Sequence, residues 1–168
     1  MNKVFLLSST LLISFHALAD GNTTISSFSK AKKTLERSVY FDHRTTLYCG
    51  AKFDAKKNII LPSGFESEKH VKRSKRVEWE HAVPAEKTND EYRLMQSDMY
   101  NLYPAIGSVN AMRSNYNFTM LPGEKSDFGS CDMNIDNKKA EPPENARGRI
   151  ARSYMYMESA YPRYKMSK

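Results

Sequence analysis

The first nineteen residues constrain this chain more than any later motif. Met1-Asn2-Lys3 makes a short positive start, an apolar stretch runs from Val4 to about Phe15, and Ala17-Leu18-Ala19 puts small residues where a signal peptidase reads them. The pattern reads as a signal peptide, residues 1–19, with cleavage before Asp20. The stretch is too short and too interrupted by serine to span a bilayer comfortably, and no second apolar run follows it. Residues 20–168 are then left to fold as one domain after export, in the periplasm or outside the cell. With 40% apolar and 11% aromatic residues, including ten Tyr, the chain is neither a multi-span membrane protein nor a disordered tail.

Export also changes the charge and the histidine count. Cleavage removes Lys3 from the 26 basic residues and none of the 19 acidic ones, so the formal net charge moves from +7 to +6. It also removes His16 and leaves His43, His70 and His81. The positive balance suits a polyanionic partner as well as a solvated surface, and charge alone does not choose between them. Cys49 and Cys131 both lie in the exported part, where a disulfide is permitted; their spacing fits no zinc site, and no C-x-x-C pair indicates redox work.

Periodicity predicts an α+β class, mainly helical with a small antiparallel sheet. Phe28, Ala31 and Leu35 recur at helical spacing within Ser26–Ser38. Val39–Gly50 reads as extended, a turn near Asp54 leads into a short strand stopped by Pro62, and Arg76–Trp79 reads as a strand. Tyr92, Met95, Met99 and Leu102 form one helical stripe over Glu91–Leu102, ended by Pro104. A helix capped by Ser108 follows, then an irregular connection over residues 121–145. A last helix runs from Arg147 to about Ala160, with Ile150, Tyr154 and Met157 inward.

Three clusters carry candidate chemistry. In Val77-Glu78-Trp79-Glu80-His81-Ala82-Val83-Pro84, an acid precedes a histidine at a strand end. Adjacent strand residues point to opposite faces, so Glu80 and His81 share a site only where the strand turns into loop, as Pro84 permits. Asn101 sits where a helix meets a loop, and Asn110 shares a helix face with Arg113 at i+3. An amide oxygen with a carboxylate suits an oxygen-seeking ion such as Mg²⁺, although caps and turns are the commoner use of asparagine. Lys69, Lys72, Arg73, Lys75 and Arg76 put five cations just before the Glu-His pair, either as a solvated face or against a phosphate backbone.

The run from Val77 to Glu86 is similar to the active-site signature of the bacterial endonuclease I family of periplasmic and secreted deoxyribonucleases. Tyr48-Cys49-Gly50, the stretch from Glu91 to Phe118, Phe128–Met133 and Glu141–Arg152 resemble the same family in order. The resemblance implies a ββα-metal finger nuclease, a monomer bound mainly to the phosphate backbone of DNA and, in some members, RNA, with no membrane partner. It implies that His81 is the general base, that Glu80 and Asn110 hold one Mg²⁺ (Mn²⁺ or Ca²⁺ as substitutes), and that Asn101 braces the loop of the finger. Lys72, Arg73, Lys75, Arg76 and Arg113 then become the nucleic-acid contacts; the candidate disulfide of Cys49 with Cys131 rests on export and not on the resemblance. The chain departs from the family between Glu86 and Glu91, where relatives carry a longer segment, and at Ala51, where many have a cysteine. The alternative is a nucleic-acid-binding protein of the same family that has lost catalysis.

Overall fold

The computed structural model describes residues 19–84, 91–123 and 125–163; the expected signal peptide, apart from Ala19, lies outside them. A first helix α1 (Phe28–Thr34) runs into a π turn at Leu35–Val39. Buried Ala31 of the helix and Leu35 of the turn pack on Leu102, as the spacing predicts. The Ser27 hydroxyl caps α1 by accepting from Lys30 N. Val39–Gly50 is not a strand: it turns repeatedly, and Leu47 and Tyr48 enter the main core. Strands β1 (Lys52–Phe53) and β2 (Ile59–Ile60) then form a small antiparallel hairpin whose turn is fastened by the Asp54 carboxylate accepting from Asn58 N at 2.8 Å.

The Glu-His pair lies on β3 (Val77–His81), which runs two residues further than the sequence pattern predicts. It pairs antiparallel with β4 (Leu102–Ile106), Glu80 opposite Tyr103 and His81 opposite Leu102. β4 corrects the expectation of one helix over Glu91–Leu102. The helix α2 stops after Tyr92–Met95, a 3₁₀ turn takes Met99–Asn101, and the chain becomes a strand. Tertiary partners override the apolar stripe here. Asp98 is buried and accepts from Tyr100 N at 3.0 Å, Asn22 N at 3.2 Å, Tyr156 Oη at 2.9 Å and Tyr161 Oη at 2.7 Å. Those bonds hold the backbone out of a helix and tie the N-terminal segment to the last helix. Pro104 sits inside β4, tolerable in a two-stranded sheet where its missing N–H need not face the partner.

Helix α3 (Gly107–Arg113) follows β4 directly. Ser108 does not cap it; Ser108 is buried within the first turn, and its Oγ accepts from Ser74 Oγ at 2.8 Å. A Cβ on Gly107 would meet the backbone oxygen of Arg73 at 2.5 Å, so only glycine lets α3 start this close to the 3₁₀ turn Val71–Lys75 that precedes β3. The stretch 121–145 is less irregular than its composition suggests. Strands β6 (Asn134–Asp136) and β7 (Lys139–Glu141) form a hairpin turned by Asn137 and Lys138 at φ 46° and 60°, and β5 (Asn117–Phe118) joins β7 in parallel. Helix α4 (Glu144–Ala160) buries Ile150 and Met157 as its periodicity predicts. Cys49 and Cys131 are joined in a disulfide beside the main core. Among the described residues no helix is long and apolar enough to cross a membrane.

Candidate active site

Alternation along β3 sends Glu78 and Glu80 to one side of the strand, and α3 lies across that side. Asn110 and Arg113, three residues apart on the helix, each take one carboxylate. Asn110 Nδ2 donates to Glu78 Oε2 at 3.0 Å, and Arg113 Nη1 donates to Glu80 Oε1 at 2.6 Å. Glu80 is 2% exposed, and its Oε1 also accepts from the buried Tyr48 hydroxyl at 2.7 Å. Both bonds converge on Oε1, and Oε2 accepts no hydrogen bond among the described residues. Burial pushes the Glu80 carboxyl above the usual carboxylate range, while the Arg113 charge and the two hydrogen bonds pull it back.

Arg113, read from the sequence as a nucleic-acid contact, has a different task. It is 1% exposed, and its guanidinium also donates to His81 O at 2.8 Å and Ala82 O at 2.9 Å, with its flat face 4.4 Å from the Phe118 ring centre. It fastens the point at which β3 ends. Asn101 fastens the next residue. Fully buried, it accepts from Val83 N through Oδ1 and donates to Val83 O through Nδ2, both at 2.7 Å, a two-point clasp on the loop leaving His81.

His81 closes the strand, and here the chain bends enough for Glu80 and His81 to line one cleft with Asn110, about 390 Å³ in volume. His81 Nε2 lies 2.9 Å from the Gln96 carbonyl oxygen. A carbonyl only accepts, so Nε2 carries the proton and Nδ1 keeps its lone pair. Burial lowers the imidazole pKa from its ordinary value; the Arg113 and Lys32 charges push the same way, against the Gln96 hydrogen bond. The neutral ring is therefore favoured at neutral pH.

The five-cation run divides. Arg73 makes a two-pronged ion pair with Glu78, and Arg76 Nη2 joins it at 3.1 Å. Lys72 and Lys75 are exposed and enter no ion pair among the described residues. The described residues hold no group of three His, Cys, Asp or Glu suited to a metal. The carboxylate lining the cleft is Glu80, with Oε2 unbonded, and it is joined there by the Asn110 amide, whose nitrogen is committed to Glu78, and by Tyr92, Gln96 and Ser114. Sequence reasoning missed Tyr48, Glu78 and Gln96. Glu78 was discoverable from its alternation with Glu80. Tyr48 lies 32 residues upstream, and Gln96 acts through its backbone, so neither left a local signal.

A family model described as Endonuclease I matches residues 27–168. The chain belongs to the endonuclease I family. Within it, an extracellular deoxyribonuclease of Aeromonas hydrophila is 39% identical over 158 aligned positions, covering 80% of this chain and 69% of the relative. A periplasmic deoxyribonuclease of the same organism is 36% identical over 178 positions, covering 90% of this chain and 73% of the relative. An endonuclease-1 of Buchnera aphidicola subsp. Acyrthosiphon pisum (strain APS) is 35% identical over 161 positions, covering 82% of this chain and 64% of that relative.

Proposed function

We propose that this endonuclease I family member is an exported endonuclease that hydrolyses phosphodiester bonds of DNA with little regard to sequence, its centre a ββα-metal finger formed by β3, β4 and α3. The observation that carries the reading is the cleft lined by His81, whose Nε2 is engaged by the Gln96 carbonyl, together with Glu80 and Asn110. Glu80 Oε2 and the Asn110 amide oxygen would hold one Mg²⁺, an ion that accepts one or two protein oxygens and fills the rest with water and phosphate. When bound, it supplies positive charge against the charge that develops on the phosphate; Mn²⁺ and Ca²⁺ have the same taste for oxygen.

The chain's own residues carry the proton. His81 Nδ1 takes a proton from the attacking water as the water oxygen bonds to phosphorus. The Gln96 carbonyl on Nε2–H steadies the imidazolium that results. One P–O ester bond breaks, and the leaving oxygen takes a proton from solvent. Arg113 and Asn101 act through position, holding the strand end and the following loop so that the ring stays in register with the two oxygens. Lys72 and Lys75 contact flanking phosphates; contacts of that kind read neither base nor sugar, so RNA is a second substrate. The leader pattern and the relatives named extracellular or periplasmic support export.

The test is plasmid nicking by the full chain expressed with its own leader. Nicking should require a divalent ion, stop with EDTA, and fall roughly 10²–10⁴-fold in His81→Ala. Full activity in His81→Ala would overturn the mechanism, and DNA retention without cleavage under any divalent ion would leave the family's binding role alone.

A further inference from the structure

A second cleft, about 430 Å³, opens beyond Trp79 and Asn110. It shares those two residues with the cleft that holds His81, so the two clefts adjoin, and Phe28 and Lys32 of α1 line the second. Three cations line this extension: Lys32, Lys57 and Arg76. Lys57 is committed to Glu36 at 3.0 Å and Arg76 to Glu78 at 3.1 Å. Lys32 enters no ion pair among the described residues. Both carboxylates of the extension are thus matched by cations, and the charge left over is positive.

Lys32 is also held in place. Phe28 and Lys32 stand four residues apart on one face of α1, and the Lys32 ammonium lies 4.3 Å over the Phe28 ring centre. An aromatic face steadies an ammonium without using up its donors. Phe28 in turn lies against His81, ring centres 5.0 Å apart. The helix beneath is anchored by buried Ala31 and Leu35.

We propose that Lys32, seated on Phe28, is a second phosphate-binding group of this active site and grips a phosphodiester next to the one that His81 attacks. The proposal rests on the nuclease reading and names the substrate group at a subsite that reading leaves open. An ammonium on a flexible stem meets phosphate oxygens as a point charge, so the grip adds affinity without sequence preference. Phe28 is a positioning residue, acting through the two side chains it separates.

The experiment uses the full exported chain and a short fluorescent DNA duplex. Binding is measured by anisotropy in a His81→Ala background across a salt series, and cleavage in the otherwise unaltered enzyme. Lys32→Gln should weaken binding roughly five- to tenfold and make the slope of log K against log[salt] shallower by about 0.9. Its KM should rise by a similar factor with kcat changed less than about twofold, and Lys32→Arg should restore both. Lys30→Gln and Lys33→Gln remove the same charge from exposed positions of the same helix and should match the parent. A Lys32→Gln variant that behaves like Lys33→Gln overturns the proposal. The binding arm reads Lys32 even in a protein that does not cleave, so failure of the nuclease reading and failure of the subsite give different results.

Discussion

Replacing Arg113 with leucine should destabilise the protein by about 3–5 kcal/mol, because it leaves the Glu80 carboxylate buried without its cation. The size follows from exposures of 1% and 2% for the two partners; the same pair on the surface would cost below about 1 kcal/mol. For a chain of this length the loss corresponds to a fall in Tm of roughly 6–20 °C. Urea unfolding of the parent, Arg113→Leu, Glu80→Leu and the double variant forms a thermodynamic cycle. With both charges gone, the double variant should lie at least about 2 kcal/mol closer to the parent than the two single losses added together. It should not recover fully, since the Tyr48 hydroxyl and the carbonyls of His81 and Ala82 still lack partners. Single losses that simply add, or an Arg113→Leu loss below about 1 kcal/mol, would refute the placement of this pair in a dry interior.

Two further outcomes follow from the same region. Asn101→Ala removes both bonds to Val83 and strands a buried N–H and C=O, costing about 2–5 kcal/mol; its kcat for plasmid nicking should fall even at temperatures where circular dichroism shows it folded, and an unchanged kcat would refute the bracing role. Opening the Cys49–Cys131 disulfide, whose cysteines are 82 residues apart, should lower stability by about 4.5 kcal/mol on the chain-entropy model, measured as the urea midpoint with and without reductant.

The parts legible in the sequence were those whose cause is local. Ala31 in α1 and Leu35 in the π turn that continues it, and Ile150 and Met157 in α4, are buried at the spacing the helix imposes. Glu80 and His81 announce a strand end through Pro84, and Asn110 and Arg113 share a helix face as i+3 spacing requires. Misreadings arose where a distant partner decides. The stripe Tyr92–Leu102 is helical by pattern, yet four donors gathered on Asp98 break it, one from α4 and one from Tyr161 just past its end. The same blindness covers Arg113. Nothing nearby reveals that its charge is met by Glu80, 33 residues earlier, rather than by solvent and phosphate. The β6–β7 hairpin was hidden because its turn uses Asn137-Lys138 in place of an Asn-Gly signal.

The two contacts between β3 and α3 act as a proofreading step. A strand slipped by one residue against its partner presents its other face, so Asn110 and Arg113 would meet Trp79 and His81 in place of Glu78 and Glu80. Such a chain would lose the buried ion pair, strand the guanidinium, and turn the imidazole away from its carbonyl in one event. Slipped copies would then lack the cleft altogether rather than hold a distorted one. Correct pairing of the sheet and assembly of the cleft thus become one event, since Glu80, Asn110 and Arg113 take part in both.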